Sequence, residues 1–233
     1  MLFLLPPSET KALGGEERTD LAFRFTDLNE AREQIREALN EAEASIAVMP
    51  AIDRYTGTLY SAVHGRGLKG TPTANNSLNA TERLRAADMV LIQSARYGLL
   101  SASDEIPVYK LNPAKLVNGL NLKKLWNQAH SDVWSKFEEH VIIDLRSKAY
   151  ADLAELPEAS NVFSVTVFVE KEDGSLEQLN HFNKKAKGQL VRAALMAKKP
   201  PTTVKELTSV ARKNGLRLEV NKQSLTLVTS QAT

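Results

Sequence analysis

The sequence contains no cysteine in its 233 residues. Disulfide staples, thiolate nucleophiles and cysteine metal cages are excluded, and a reducing compartment suits such a chain. Histidine is nearly as scarce, with four, at positions 64, 130, 140 and 181. None forms a His-x-His or HExxH pair, so no dedicated zinc or iron site is expected. No apolar run approaches the length of a membrane span, and the opening MLFLL is too short for a secretory signal. The expectation is a cytoplasmic protein without membrane contact. The loop HGRGLKGTPTANN from His64 lacks the Gly-Lys-Ser/Thr of a phosphate loop and is no dinucleotide fingerprint. A G-x-S-x-G hydrolase elbow is missing too, and nothing implies a cofactor.

What is present describes an ordinary soluble globular chain, 42% hydrophobic and 25% charged. Its length suffices for one large domain or two small ones, with ample core either way. The net charge of +2 conceals an asymmetry. Residues 16–43 hold nine acidic and four basic side chains, whereas residues 180–222 hold eleven basic and two acidic. A basic block on a near-neutral chain points to an anionic partner, although lysines on solvated helices would look the same.

The apolar runs LFLL, VLI and VIIDL read as buried strands. Each ends in a polar segment: PPSETK, then ARYGLLSASDEIPVYKL, then RSKAY. Polar and aromatic residues behind buried strands occupy the position where α/β sheets bind ligands. Between the strands, residues 27–43 form an amphipathic helix with Asp27 and Glu30 as a capping box. AIDRYTGTLYSAV places Ile52, Tyr55, Leu59 and Val63 on one helical face, with Gly57 in the middle at a cost of ~1 kcal/mol relative to Ala. Residues 79–87 and 120–139 are also expected as helices, with Trp126 and Trp134 in the core. NVFSVTVFVE alternates, and Asp173-Gly174 turns it into a hairpin. A basic helix spans 183–199, another helix 203–214, and a short hairpin closes the chain. The predicted architecture is one α+β domain over residues 1–233, a mixed sheet surrounded by helices.

If the three strands are parallel, Lys11, Arg96 and Arg146 reach one edge of the sheet. Glu9, Asp104 and Asp144 arrive with them, as do Ser8, Ser94 and Ser147. Arg54, Tyr55, Thr56, Tyr60, Tyr97 and Tyr109 complete the candidate pocket, in which Arg146, Lys11 and Arg54 would surround a concave surface. This mix suits a small anionic or nucleotide ligand, with carboxylates for proton transfer. A structural ion-pair network would use the same residues. Lys184, Lys185, Lys187, Arg192 and Lys199 would supply phosphate contacts to duplex DNA, with Lys185, Arg192 and Lys199 spaced by seven along one stripe.

Taken in order, LLPPSETK, RYTGTLY, ARYGLLSASDEIPVYKL, VIIDLRSKAY and KKAKG resemble the landmarks of the YaaA family of peroxide-stress proteins, from Met1 to about Ala197. The resemblance implies a cytosolic bacterial protein linked to hydrogen-peroxide resistance and to control of free iron. It further implies DNA binding through a helix-hairpin-helix element, although a hydrophobic-x-Gly-hydrophobic-Gly hairpin is not evident in this sequence. Two positions depart from the family pattern: Lys110 and Lys187 stand where arginine is usual. Lysine keeps the charge and loses the bidentate fork. The function expected is peroxide-stress protection through largely backbone-directed DNA binding that limits iron-mediated damage. The alternative is an enzyme acting on a nucleotide or nucleic acid at the strand-end pocket.

Overall fold

The computed structural model describes residues 1–41, 45–66, 77–114, 116–177 and 180–230. Strand β1 (Leu2–Leu5) is buried along its whole length. Phe3 and Leu5 face one apolar core, Leu2 and Leu4 a second, so both faces of the sheet are covered here. A long excursion follows: β2 (Glu16–Arg18), a single 3-10 turn at Thr26–Leu28, α1 (Asn29–Leu39), β3 (Ile46–Pro50), α2 (Ala51–Arg54), α3 (Thr58–Val63) and α4 (Ala80–Met89). It returns as β4 (Val90–Ser94), which runs parallel to β1 with Leu4 beside Leu91. Asn79 caps α4 with Glu82 reaching back, a full capping box directly before the strand.

Strands β5 (Gly98–Ser101), β6 (Glu105–Ile106), β7 (Leu116–Val117) and β8 (Leu120–Asn121) lead into α5 (Leu122–Ser135). Next come β9 (Ile142–Asp144), α6 (Lys148–Ala151), β10 (Val162–Glu170), β11 (Leu176–Glu177), α7 (Asn180–Met196), α8 (Val204–Lys213), β12 (Arg217–Asn221) and β13 (Ser224–Ser230). The main sheet has the order β12-β13-β10-β9-β1-β4-β5, with β11 attached to β10. Strands β4, β1, β9, β10 and β13 pair in parallel. The pairs β4–β5, β10–β11 and β12–β13 are antiparallel, which makes the sheet mixed and the architecture α+β. Helices α3, α4, α7 and α8 lie on the face of Phe3 and Leu5, and α1 and α5 on the face of Leu2 and Leu4. Trp126 and Trp134 of α5 are buried in that second core. Among the described residues no helix is long and apolar enough to cross a membrane.

Three local expectations need correction. The Asp27–Glu30 capping box does not form: Leu28 is the residue before α1, no side chain caps it, and Asp27 instead holds Lys136 at 2.5 Å. The helix also stops at Leu39, where Asn40 turns left-handed at φ 53°, short of residue 43. The segment from Ala51 is two short helices and not one, because Tyr55 is extended and Gly57 takes φ 122°. A side chain at Gly57 would also place its Cβ 2.6 Å from Ser8 Oγ. Most of the glycine-rich loop after His64 lies outside the described residues.

This topology positions a site. From β1 the chain crosses to β4 on one flank, whereas β9 leads to β10 on the other. Between β1 and β9 the direction of travel across the sheet reverses, and the carboxyl ends there form the crevice in which such sheets bind ligands.

Candidate functional site

Pro6 and Pro7 cannot continue the ladder, so the chain leaves β1 and folds over the break between α2 and α3. Thr56 N–H donates to Thr10 O at 3.0 Å, Ala12 N–H to Arg54 O at 2.8 Å, and Ser8 Oγ to Thr56 O at 3.3 Å. The break in the helix is therefore the docking surface of the loop after β1. Lys11 Nζ donates to the carbonyls of Ser8 at 3.1 Å and Glu9 at 3.4 Å and sits 4.3 Å from the centre of the Tyr109 ring. Burial holds this ammonium below the usual lysine range, with Glu9 opposing the shift.

Tyr55 and Tyr109 lie against that lysine, and the other three of the chain's five tyrosines are linked to this pair. The Tyr55 ring lies 5.3 Å from Tyr60 and 6.4 Å from Tyr109, and Tyr97 lies 5.1 Å from Tyr109. Tyr150 is near enough that its charge would oppose ionisation of both Tyr60 and Tyr109. Burial raises every one of these phenols, Tyr97 and Tyr150 to about 12. All five are thus neutral hydrogen-bond donors at physiological pH.

Their hydroxyls do not balance. Ser94 Oγ accepts the backbone N–H groups of Arg96 and Tyr97, each at 3.1 Å, which uses both of its lone pairs. Its own proton must then go to Tyr109 Oη, 2.9 Å away. Tyr109 and Tyr55 share one further bond of 2.6 Å. Whichever of them donates it, one phenolic proton is left without an acceptor among the described residues. Tyr60 is not part of the surplus, because its hydroxyl donates to Pro6 O at 2.8 Å.

Lys187, placed among the DNA contacts on sequence, belongs to this edge instead. It is buried, and its Nζ donates to Leu145 O at 3.1 Å, just past β9. Among the described residues two of its three donors meet no acceptor. Burial lowers its pKa, with Asp144 opposing. Gly188 lets α7 come this close, since a Cβ there would stand 2.2 Å from Leu59 O. Lys187 and Tyr150 are the two site residues that the candidate pocket omits. The signals were a glycine inside a basic helix and a tyrosine one turn beyond a strand end.

Other candidates are structural. Arg54 is fully buried and donates to Ile106 O at 3.0 Å, Ala12 O at 2.5 Å and Ala47 O at 2.8 Å, fixing the loops around it. Arg146 grips Asp144 through Nε at 3.0 Å and Nη2 at 2.8 Å, and donates to Ala154 O at 2.8 Å. Asp104 accepts the backbone N–H groups of Arg24 and Ser101 and serves a turn. Arg146, Lys11 and Arg54 therefore do not line one pocket with free heads. Glu9 and Ser147 are exposed, and Thr56 contributes its backbone to the loop contact. On the basic helix, Arg192 donates to Val63 O at 3.0 Å, whereas Lys184 and Lys199 are exposed and Lys185 half-buried. His130 is a core group: Nδ1–H donates to Trp126 O at 2.7 Å, and burial pushes its pKa down to about 4. Among the described residues no three His, Asp or Glu side chains come together as a metal cage.

The family model described as "Peroxide stress protein YaaA" matches residues 24–222. The chain belongs to the YaaA family of peroxide stress proteins. A UPF0246 protein of Corynebacterium efficiens is 34% identical, over 98% of this chain and all of the relative. One from Corynebacterium glutamicum strain R gives the same identity and coverage. A Streptomyces coelicolor UPF0246 protein is 28% identical over 94% of this chain and 92% of its own length. The segments that resemble YaaA landmarks lie at the loop after β1, the Tyr55–Gly57 break, the segment after β4, the end of β9, and Lys187-Gly188. Lys110 is exposed, and Lys187 is buried at the edge.

Proposed function

We propose that this YaaA protein protects against peroxide, and against the iron-driven damage peroxide causes, by holding a small anionic or nucleotide-like ligand at the carboxyl ends of β9, β1 and β4. One observation carries this reading: the edge has more hydrogen-bond donors than acceptors. A phenolic proton from the Tyr55–Tyr109 pair, one N–H of Lys11 and two of Lys187 remain for an acceptor-rich guest. Buried donors of this kind are costly unless a partner meets them. If the site is catalytic, a lysine with lowered pKa accepts the proton and a neutral tyrosine gives one. Asp104 and Asp144 are already committed to structure and take no part in the transfer.

The test is survival of peroxide challenge in cells lacking the gene. The wild-type chain should restore it, and Tyr109→Phe and Lys11→Gln should each fail while remaining folded. Full protection by both variants would remove the site from the function.

A second reading, non-specific duplex DNA binding, is favoured by the exposed lysines of α7 and α8. Among the described residues, Lys184, Lys205, Arg212 and Lys213 are exposed and have no carboxylate partner. Changing Lys184, Lys185 and Lys199 together to Glu should weaken DNA binding and flatten its dependence on salt. An unchanged slope would mean that DNA docks elsewhere or not at all.

A further inference from the structure

Across the wall made by Tyr97 and Tyr109 lies a cavity of about 580 Å³, between α1, the segment after β2 and the turn after β4. Its size is that of a small-molecule site. Phe23, Tyr97 and Tyr109 give it aromatic walls, and Pro107 and Val108 close one side. Three arginines and two glutamates line it, leaving one positive charge in excess. Arg36 is paired with Glu33 at 2.5 Å, and Arg96 with Glu41 at 2.5 Å.

Arg32 is the odd one. Its guanidinium is buried and donates to the carbonyls of Tyr97, Phe25 and Leu99 and to Asn29 Oδ1, all neutral acceptors. It lies 4.0 Å from the Phe23 ring centre. Four of its five N–H groups are used, and one on Nη2 remains. Arg96 donates to Arg32 O at 3.1 Å and twice to Glu41 Oε2, which leaves two of its own N–H groups. Both cations lower the cost of an anion beside them, and burial, opposed by the Asp104 charge and aided by Arg96, holds Arg32 down to about 10. The Glu41 side chain is 41% exposed, so it can swing into water and give its place on Arg96 to another anion.

We propose that this cavity binds a planar aromatic ring bearing one carboxylate or phosphate, the ring against Phe23 and Tyr97 and the anion against Arg96 and Arg32. The inference does not depend on the strand-end ligand. Isothermal titration of the whole chain with AMP, indole-3-acetate and adenosine tests it. AMP or indole-3-acetate should bind, and adenosine about tenfold more weakly than AMP if the nucleotide is the guest. Binding of AMP alone identifies a phosphate source, and binding of indole-3-acetate alone a carboxylate source. Val108→Trp, at a position 49% exposed, should fill the mouth and weaken binding about tenfold. Glu41→Gln removes the competing carboxylate and should tighten binding about threefold at low salt, the opposite of what loss of a structural pair would do. Silence from both anions at about 5 mM, adenosine binding as well as AMP, indifference to Val108→Trp, or weakening by Glu41→Gln would each overturn the proposal.

Discussion

Arg54 and Arg146 are buried close to the same strand ends as Lys11 and Lys187, yet the two pairs are finished differently. Every guanidinium nitrogen of the arginines has a carbonyl or carboxylate partner. The lysines touch backbone carbonyls with part of their donor capacity and keep the rest. A planar fork presents three nitrogens to three directions, and when each is held by a different stretch of chain it works as a staple. An ammonium at a crowded strand end meets fewer acceptors, and what it does not use is available to a guest. Arg54, Arg146 and Lys187 are all buried cations and Lys11 is half-buried, so neither burial nor charge by itself distinguishes scaffold from site. The number of separate stretches that hold the head does: Arg54 is fixed by three, at Ala12, Ala47 and Ile106, and Lys187 by one, at Leu145.

The largest effect expected from breaking this contrast is on stability. Arg146→Ala strands the Asp144 carboxylate and the Ala154 carbonyl, and should cost about 3–5 kcal/mol in urea unfolding. Arg54→Met should fall in the same range by unpairing three carbonyls. A loss under about 1 kcal/mol with peroxide protection abolished would return either arginine to the site.

Next in size is an alkaline effect. The folded-state pKa of Tyr60 is raised well above its ordinary value of 10.0. Above pH 10 the unfolded chain releases this proton while the native state retains it, so stability is full below pH 10 and declines as pH rises. Tyr60→Phe should remove about 1.4 kcal/mol per pH unit from that decline. An identical slope in the variant would show that Tyr60 ionises freely.

Smallest is the effect of Lys187→Met on stability near neutral pH. The ammonium is buried with one carbonyl partner, so an apolar side chain of similar length should leave stability within about 1 kcal/mol or raise it. Its folded pKa is lowered below 10.5. The native state therefore gives up this proton first, and wild-type stability gains as pH climbs from the folded value toward 10.5. The Met variant should lack that gain. A loss of several kcal/mol at neutral pH would make Lys187 a staple like Arg146.

Much of the fold was legible in the sequence because its signals are local. Uninterrupted apolar runs marked β1, β4 and β9, Asp173-Gly174 marked the β10–β11 turn, and α4, α7 and α8 fell within a few residues of expectation. The break at Tyr55–Gly57 was hidden because Ile52, Tyr55, Leu59 and Val63 keep helical spacing while the tertiary loop contact from Ser8 and Thr10 extends the backbone between them. The site was half legible. Strand-end polarity identified Lys11, Ser94 and Tyr109, but sequence cannot tell an arginine pinned on three sides from a lysine held on one. It also could not bring Lys187, on a helix far along the chain, to the carboxyl end of β9. The cavity beside Arg32 went unseen because that arginine lay in a helix that reads as scaffold.

The central claim is that unmet donors at the strand ends hold a small guest, and native mass spectrometry of the untagged protein purified from peroxide-challenged cells tests it most directly. The wild-type chain should carry a small additional mass that the Tyr109→Phe Lys187→Met double variant lacks. A bare mass for both proteins, or the same adduct on both, would contradict the account.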